Sequence, residues 1–407
     1  MSDFAAALAD HPLWNRVTDL CQEWTLEDRL PALSLMVGTL DDFAGPFGFG
    51  RRNLNDAPVA DSPETDETLF LIASITKPIL AMGILQLIER GELLLGTKVS
   101  DVIPEFGRAG TYGITIRHLL THTSGLPDML PNNRELRENH SPLSEFVAGT
   151  CQVELAFQTG RDASYSSMGF VLLGEVIQRI TGLPAATYLQ QNLFEPLQMN
   201  ETALGAPEEW YQGDSPQIER VAESRIPAEW DLGEDWNWNS RYWRTLGAPW
   251  GGVISSSSDL SRFTRMMLGE GELDGTRVLS RQSVKSAISN QLDPLKEIPE
   301  QTRRCKSWGL GWRRHWAAHS ANFGDLLSPS SYGHWGATGT VLWVDPETQI
   351  WAVILTTEPQ EPKGTLLARL SNLVAAVLGD LSWFLSQVSG CLNQRTCLLY
   401  CPQMFFC

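Results

Sequence analysis

The sequence predicts an α/β chain of the α+β kind, with one sheet shared by the two chain ends and a mainly helical middle. Three observations carry this: a short apolar run near the N-terminus, two apolar runs across a short turn near the C-terminus, and an intervening stretch whose apolar residues recur at helical spacing. The chain has 407 residues, a length that suits roughly two to three folding units.

The first element is the run LPALSLMVGTL (30–40), a strand, followed by the glycine-rich GPFGFGRRN, read as a turn. Ile75–Arg90 is apolar on nearly every face and is followed by Gly91, a helix stop, so it reads as a helix buried between layers. Pro78 lies near enough to its start to be tolerated. IRHLLTH (116–122) and MGFVLLGEVIQRITG (168–182) carry helical spacing. The tryptophan-rich stretch 229–250 shows no period and is expected to be a long ordered loop. GTVLWV (339–344) and IWAVILTT (350–357) form an antiparallel hairpin, and Leu366–Leu378 a closing helix. From about residue 380 the composition turns to cysteine and aromatics without periodicity. The expected organisation is a discontinuous sheet domain (1–80 and 248–380), a mainly helical domain (81–247) and an extension of unassigned role (381–407).

Composition excludes several functions. With 31 Lys and Arg against 48 Asp and Glu, the net charge of −17 repels nucleic-acid phosphates and anionic membrane surfaces. No apolar run approaches the ~18 residues of a spanning helix, and the N-terminus lacks a basic start leading into an apolar core and cleavage site. The chain is therefore read as cytoplasmic, with no membrane or nucleic-acid partner. Cys21, Cys151 and Cys305 read as buried thiols. Cys391, Cys397, Cys401 and Cys407 lack paired C-x-x-C knuckles. His118 with His122, and His315 with His319, stand four apart without the adjoining glutamate of a zinc helix, and read as structural. No metal or cofactor is expected.

Three stations could carry chemistry. In Ser74-Ile75-Thr76-Lys77 a hydroxyl and an ammonium share one helix face, and a lysine whose pKa is depressed by burial can take the proton that makes serine a nucleophile. Tyr165-Ser166-Ser167 precedes an apolar helix, and a phenol beside an ammonium can relay protons. His334-Trp335-Gly336-Ala337 precedes a strand whose edge could offer an oxyanion N–H, with Gly336 admitting close approach of substrate.

In order along the chain, Ser74-x-x-Lys77, Tyr165-Ser166-Ser167 and His334-x-Gly336 resemble the three motifs of the serine β-lactamase and penicillin-recognising family. LLTHTSGLP (119–127), GFVLLGEVIQRITG (169–182), FEPLQM (194–199), GGVISSSSDLSRF (251–263) and GHWGATGTVLWVDPE (333–347) are similar to one branch of it. That branch unites class C β-lactamases, D-Ala-D-Ala carboxypeptidases and family VIII carboxylesterases. The resemblance runs from about Leu30 to Leu378.

It implies an antiparallel sheet flanked by helices, a helical domain, and a site in the cleft between them. Ser74 becomes the nucleophile, Lys77 and Tyr165 the proton-transfer pair, and His334 stands where β-lactamases carry lysine. The backbone N–H groups of Ser74 and Ala337 become the oxyanion hole. Two departures bear on substrate: Ser167 replaces the usual asparagine, and imidazole replaces a fixed positive charge. Both favour a neutral ester. Trp230, Trp236, Trp238, Trp243, Trp250 and Trp335 could wall an acyl pocket, with Trp335 favoured. The leading expectation is a carboxylesterase or acyltransferase acting on a small ester or amide through acyl-Ser74. A D-amino-acid peptidase or β-lactamase, needing Arg241, Arg244, Arg313 or Arg314 as a carboxylate anchor, is the first alternative. A non-catalytic scaffold is the second.

Overall fold

The computed structural model describes residues 3–60, 67–230, 232–314, 323–359 and 365–393, with backbone alone at 229 and from 382 onward. Its main sheet has six antiparallel strands: β1 (Ala32–Gly38), β2 (Phe43–Gly50), β8 (Arg313–Arg314), β9 (Tyr332–Gly336), β10 (Thr340–Asp345) and β11 (Ile350–Thr356), in the order β2-β1-β11-β10-β9-β8. A three-stranded sheet joins β3 (Phe70–Leu71), β5 (Val253–Ser255) and β4 (Ala203–Leu204), and a small hairpin pairs β6 (Glu272–Leu273) with β7 (Thr276–Arg277). The two chain ends do share one sheet, since β1 pairs with β11 from Leu33 opposite Thr356 to Gly38 opposite Trp351.

Strand alternation divides the core. Leu33, Leu35, Val37, Val341, Trp343 and Ile354 face a layer formed by the helices Pro12–Leu26 and Thr365–Asn393. Met36, Leu342, Val344, Val353 and Leu355 face the opposite way, into a larger core containing the helices Thr76–Glu89, Met168–Thr181 and Ser257–Leu268. The helix Thr76–Glu89 is buried from Thr76 through Leu87, as its apolar character on all faces requires.

Several expectations change. GPFGFG is a strand, not a turn: β2 pairs along β1, and at Gly50 (φ +83°) a Cβ would stand 2.2 Å from the Pro31 carbonyl oxygen, so glycine lets the strands close. The stretch 229–250 contains the helix Arg241–Leu246, too short to show a period, with Ser240 capping Trp243 N–H and Gly247 ending it in the left-handed region. The third motif is itself part of β9. The closing helix runs from Thr365 to Asn393, past the composition change near residue 380. Cys397, Cys401 and Cys407 and the pair His315 and His319 lie outside the described residues. Cys21 and Cys151 are buried free thiols, while Cys305 is only half-buried. Among the described residues no helix is long and apolar enough to cross a membrane.

Candidate active site

Ser74 sits in a single 3-10 turn (Ala73–Ile75) that feeds directly into the helix Thr76–Glu89. The turn is entered through Ala73 at φ +47°, a conformation disfavoured for a side chain bearing Cβ. Surrounding bonds hold it there. Ile72 N–H donates to the Val253 carbonyl (3.0 Å), and Val253 N–H to Thr76 Oγ1 (3.0 Å). Thr338 Oγ1 donates to the Leu71 carbonyl (2.6 Å) and Thr340 Oγ1 to the Ile72 carbonyl (2.9 Å). The β9–β10 turn, which carries Ala337, is thereby fixed to the turn that carries Ser74.

Gly336 serves that clamp rather than substrate. A Cβ at Gly336 would stand 2.3 Å from the Ile72 carbonyl oxygen and from Thr340 Oγ1, and 3.0 Å from Ala73 Cβ, so its space is filled by the Ser74 turn, and Gly336 does not line the cavity described below. Gly336→Ala is expected to cost about 1–3 kcal/mol by overpacking and to lower kcat/KM with it. Thermal denaturation and ester kinetics check this, and wild-type values of both would contradict it.

One helical turn after Ser74, Lys77 is fully buried. Its Nζ donates to Ser74 Oγ (3.1 Å) and to the Trp250 carbonyl (2.7 Å), and lies 4.7 Å from the centre of the Tyr165 ring. Burial pulls its pKa down to about 7; the Asp128 carboxylate opposes this and the Arg313 charge adds to it. Lys77 can therefore exist as a free amine near neutral pH.

Tyr165 comes from a loop tied to the 122–128 segment. Ser164 N–H donates to the His122 carbonyl (2.9 Å), Ser166 N–H to His122 Nδ1 (3.1 Å), and Ser166 Oγ to the Pro127 carbonyl (3.0 Å). Its ring packs against His122 and Trp308. Burial raises the phenol pKa well above its ordinary value, while hydrogen bonding to Ser74 works in the opposite direction. Tyr165 stays protonated at neutral pH. Ser167 donates from both N–H (2.9 Å) and Oγ (2.7 Å) to Asp128 Oδ1, so its hydroxyl is engaged with that carboxylate.

His334 reaches the same cluster from behind. It is 1 % exposed and packs among Tyr165, Trp308 and Trp335. Its Nδ1 lies 2.7 Å from the Trp335 carbonyl oxygen. Burial, with the Arg313 and Lys77 charges, keeps its pKa well below the ordinary range. His334, expected as a catalytic residue in place of the β-lactamase lysine, is thus held in its neutral form, and it is not among the cavity-lining side chains. His118 and His122 are structural, His118 Nδ1 completing the cap of the helix Ile116–Leu120.

Ser74, Tyr165, Ser167 and Ala337 line one cavity of about 640 Å³. Trp230, Trp238, Trp243, Trp250 and Trp335 wall it, whereas Trp236 does not. Trp250 has two roles, its indole in the wall and its carbonyl on Lys77. Three polar side chains in the lining went unassigned or undistinguished in the sequence: Asp128, Arg137 and Arg313. Asp128 directly follows LLTHTSGLP, which was its one local signal. Of the four candidate anchors, only Arg313 lines the cavity, lying over the Trp335 ring at 3.6 Å and near Tyr165. Arg241 instead pairs with Glu208, Arg244 contacts the Val221 carbonyl, and Arg314 bonds the Ile288 carbonyl. The fixed charge that the third motif lacks is present in the cavity as Arg313.

The Beta-lactamase family model matches residues 48–376. The chain belongs to the Beta-lactamase family. Within that family it is 29% identical over 389 residues to penicillin-binding protein 4 of Amycolatopsis lactamdurans, covering 92% of this chain and 91% of the relative. Two solved structures share the fold of this Beta-lactamase-family chain. EstCE1, described as a hydrolase with promiscuous acyltransferase activity, superposes with a TM-score of 0.72 at 19% identity, covering 90% of this chain and 99% of that one. A penicillin-binding protein homologue from Caulobacter crescentus gives 0.69 at 20% identity, covering 89% and 98%.

Proposed function

We propose that this serine hydrolase of the Beta-lactamase family is a carboxylesterase or acyltransferase that works through an acyl-Ser74 intermediate. The observation that carries the proposal is Lys77 Nζ at 3.1 Å from Ser74 Oγ, buried at the edge of a tryptophan-walled cavity. In the neutral form, Lys77 accepts the Ser74 proton as Oγ bonds to the substrate carbonyl carbon. The oxyanion that forms is met by the N–H groups of Ser74 and Ala337. Collapse breaks the bond to the alcohol, and the proton passes from Lys77 through the Tyr165 phenol to that leaving oxygen. Water, or a second alcohol or amine, then attacks acyl-Ser74 by the reverse route. The five indoles suit an apolar acyl segment. The acyltransferase activity in the description of EstCE1 supports the second acceptor.

Arg313 favours a second reading. A guanidinium beside the third-motif strand can hold a substrate carboxylate where β-lactamases use lysine, which suits a D-Ala-terminated peptide and accords with the penicillin-binding relative. Substrate profiling separates the two. We expect kcat/KM for short-chain nitrophenyl esters to exceed the values for a chromogenic cephalosporin and for D-Ala-D-Ala peptides. Faster acylation by either of the latter would reverse the assignment.

A further inference from the structure

The catalytic cavity contains a second cation that the proposed chemistry leaves unused. Arg137, on the helix Asn133–Glu138, is 6 % exposed and lines the cavity with Trp243, its guanidinium lying 4.1 Å from that ring's centre. Its Nε is buried without a hydrogen-bond partner, and among the described residues no carboxylate forms an ion pair with it. Burial lowers its pKa only to about 10, so it remains charged at neutral pH. An arginine has five N–H donors and no acceptor, and stacking on an indole satisfies none of them. Only Nε is sealed off without a partner, while the rest of the guanidinium borders the cavity; a largely buried charge with no carboxylate partner among the described residues is placed to take an anionic acceptor from outside the chain.

Its setting defines that acceptor. The planar fork suits a two-oxygen anion, with a carboxylate the smallest fit. Trp243 and Trp250 pack against one another next to it, so the approach to the charge is apolar. The chain as a whole is at −17, which makes a local positive end to the cavity a specific feature rather than a share of a general field.

We propose that Arg137 is a specificity-determining residue that binds a terminal carboxylate on the acyl part of the substrate, making the preferred donors half-esters of dicarboxylic acids with an apolar linker. This rests on the acyl-Ser74 reading for the reaction, but not for the binding.

The test compares mono-nitrophenyl glutarate and adipate with the same compounds capped as methyl esters. In the wild-type protein, kcat/KM for the better carboxylate is expected to exceed that for its capped partner by about tenfold or more. In Arg137→Gln that ratio is expected to fall to about one, and in Arg137→Lys, which keeps the charge but not the fork, to an intermediate value. A purely structural arginine would lower both esters together and leave the ratio intact, which would overturn the proposal. So would a wild-type ratio of one or below, a measurement that needs no variant to fold. Loss of the ratio in Arg313→Gln but not in Arg137→Gln would also overturn it. Binding of monomethyl adipate to Ser74→Ala, followed by tryptophan fluorescence, separates the two claims. Binding that weakens about tenfold on adding Arg137→Gln supports the subsite even if neither ester is turned over, an outcome that counts against acyl-Ser74 alone. Binding unaffected by that change overturns the subsite.

Discussion

Replacing Ser74 by alanine is expected to lower kcat/KM for an activated ester by roughly 10⁴-fold or more, because the Ser74 hydroxyl is the one hydrogen-bonded to Lys77, whereas the Ser167 hydroxyl is engaged by Asp128. The Ser74 turn is held by backbone and threonine bonds that do not use the Ser74 hydroxyl. Ser74→Ala should therefore fold with wild-type stability and bind substrate while failing to turn it over. A residual rate within tenfold of wild type would place the nucleophile elsewhere.

Lys77→Met is expected to reduce the acylation rate by about 10²–10⁴-fold, the usual contribution of a positioned general base. The wild-type enzyme should gain activity as pH rises through about 7, where Lys77 gives up its proton. Tyr165, whose pKa is raised, should set no limb in that region. The same shift has a cost in stability. Its sign follows from proton counts: between about 7 and the ordinary 10.5 the unfolded chain binds a proton at Lys77 that the folded chain does not. Wild-type stability should thus rise with pH across that window, and the cost is present in full below it. Lys77→Met removes the cost, so the inactive variant should melt a few degrees higher at pH 6, with the advantage vanishing towards pH 10.5. Equal melting temperatures at pH 6, or an unchanged activity profile, would contradict the role given to Lys77.

The parts of the site written locally were legible in the sequence. Ser74 and Lys77 stand three apart, and one helical turn decides their geometry whatever surrounds it. Likewise the hairpin around 345–350 and the buried helix after Ser74 follow from local apolar pattern. The strand GPFGFG was misread because its glycines signal turns in isolation. Only the packing of Gly50 against Pro31 shows why they are needed in a strand. Tyr165 gained meaning through family resemblance, since nothing in Tyr-Ser-Ser distinguishes a helix cap from a proton relay. His334 was placed with the catalytic residues by its position in the third motif, because the sequence does not reveal that Tyr165 and Trp308 would pack against its ring. Arg137 and Arg313 were invisible as a pair: the first lies in a charged surface-like helix, NRELRE, and the second beside another arginine. Their shared cavity arises only from long-range packing.

The most direct measurement is mass mapping of the folded protein after brief exposure to a fluorophosphonate probe. A single adduct on the Ser74 peptide, absent after denaturation and strongly slowed in Lys77→Met, is the result this account predicts. An unmodified Ser74 in folded protein, or labelling that is equally fast without Lys77, would contradict it.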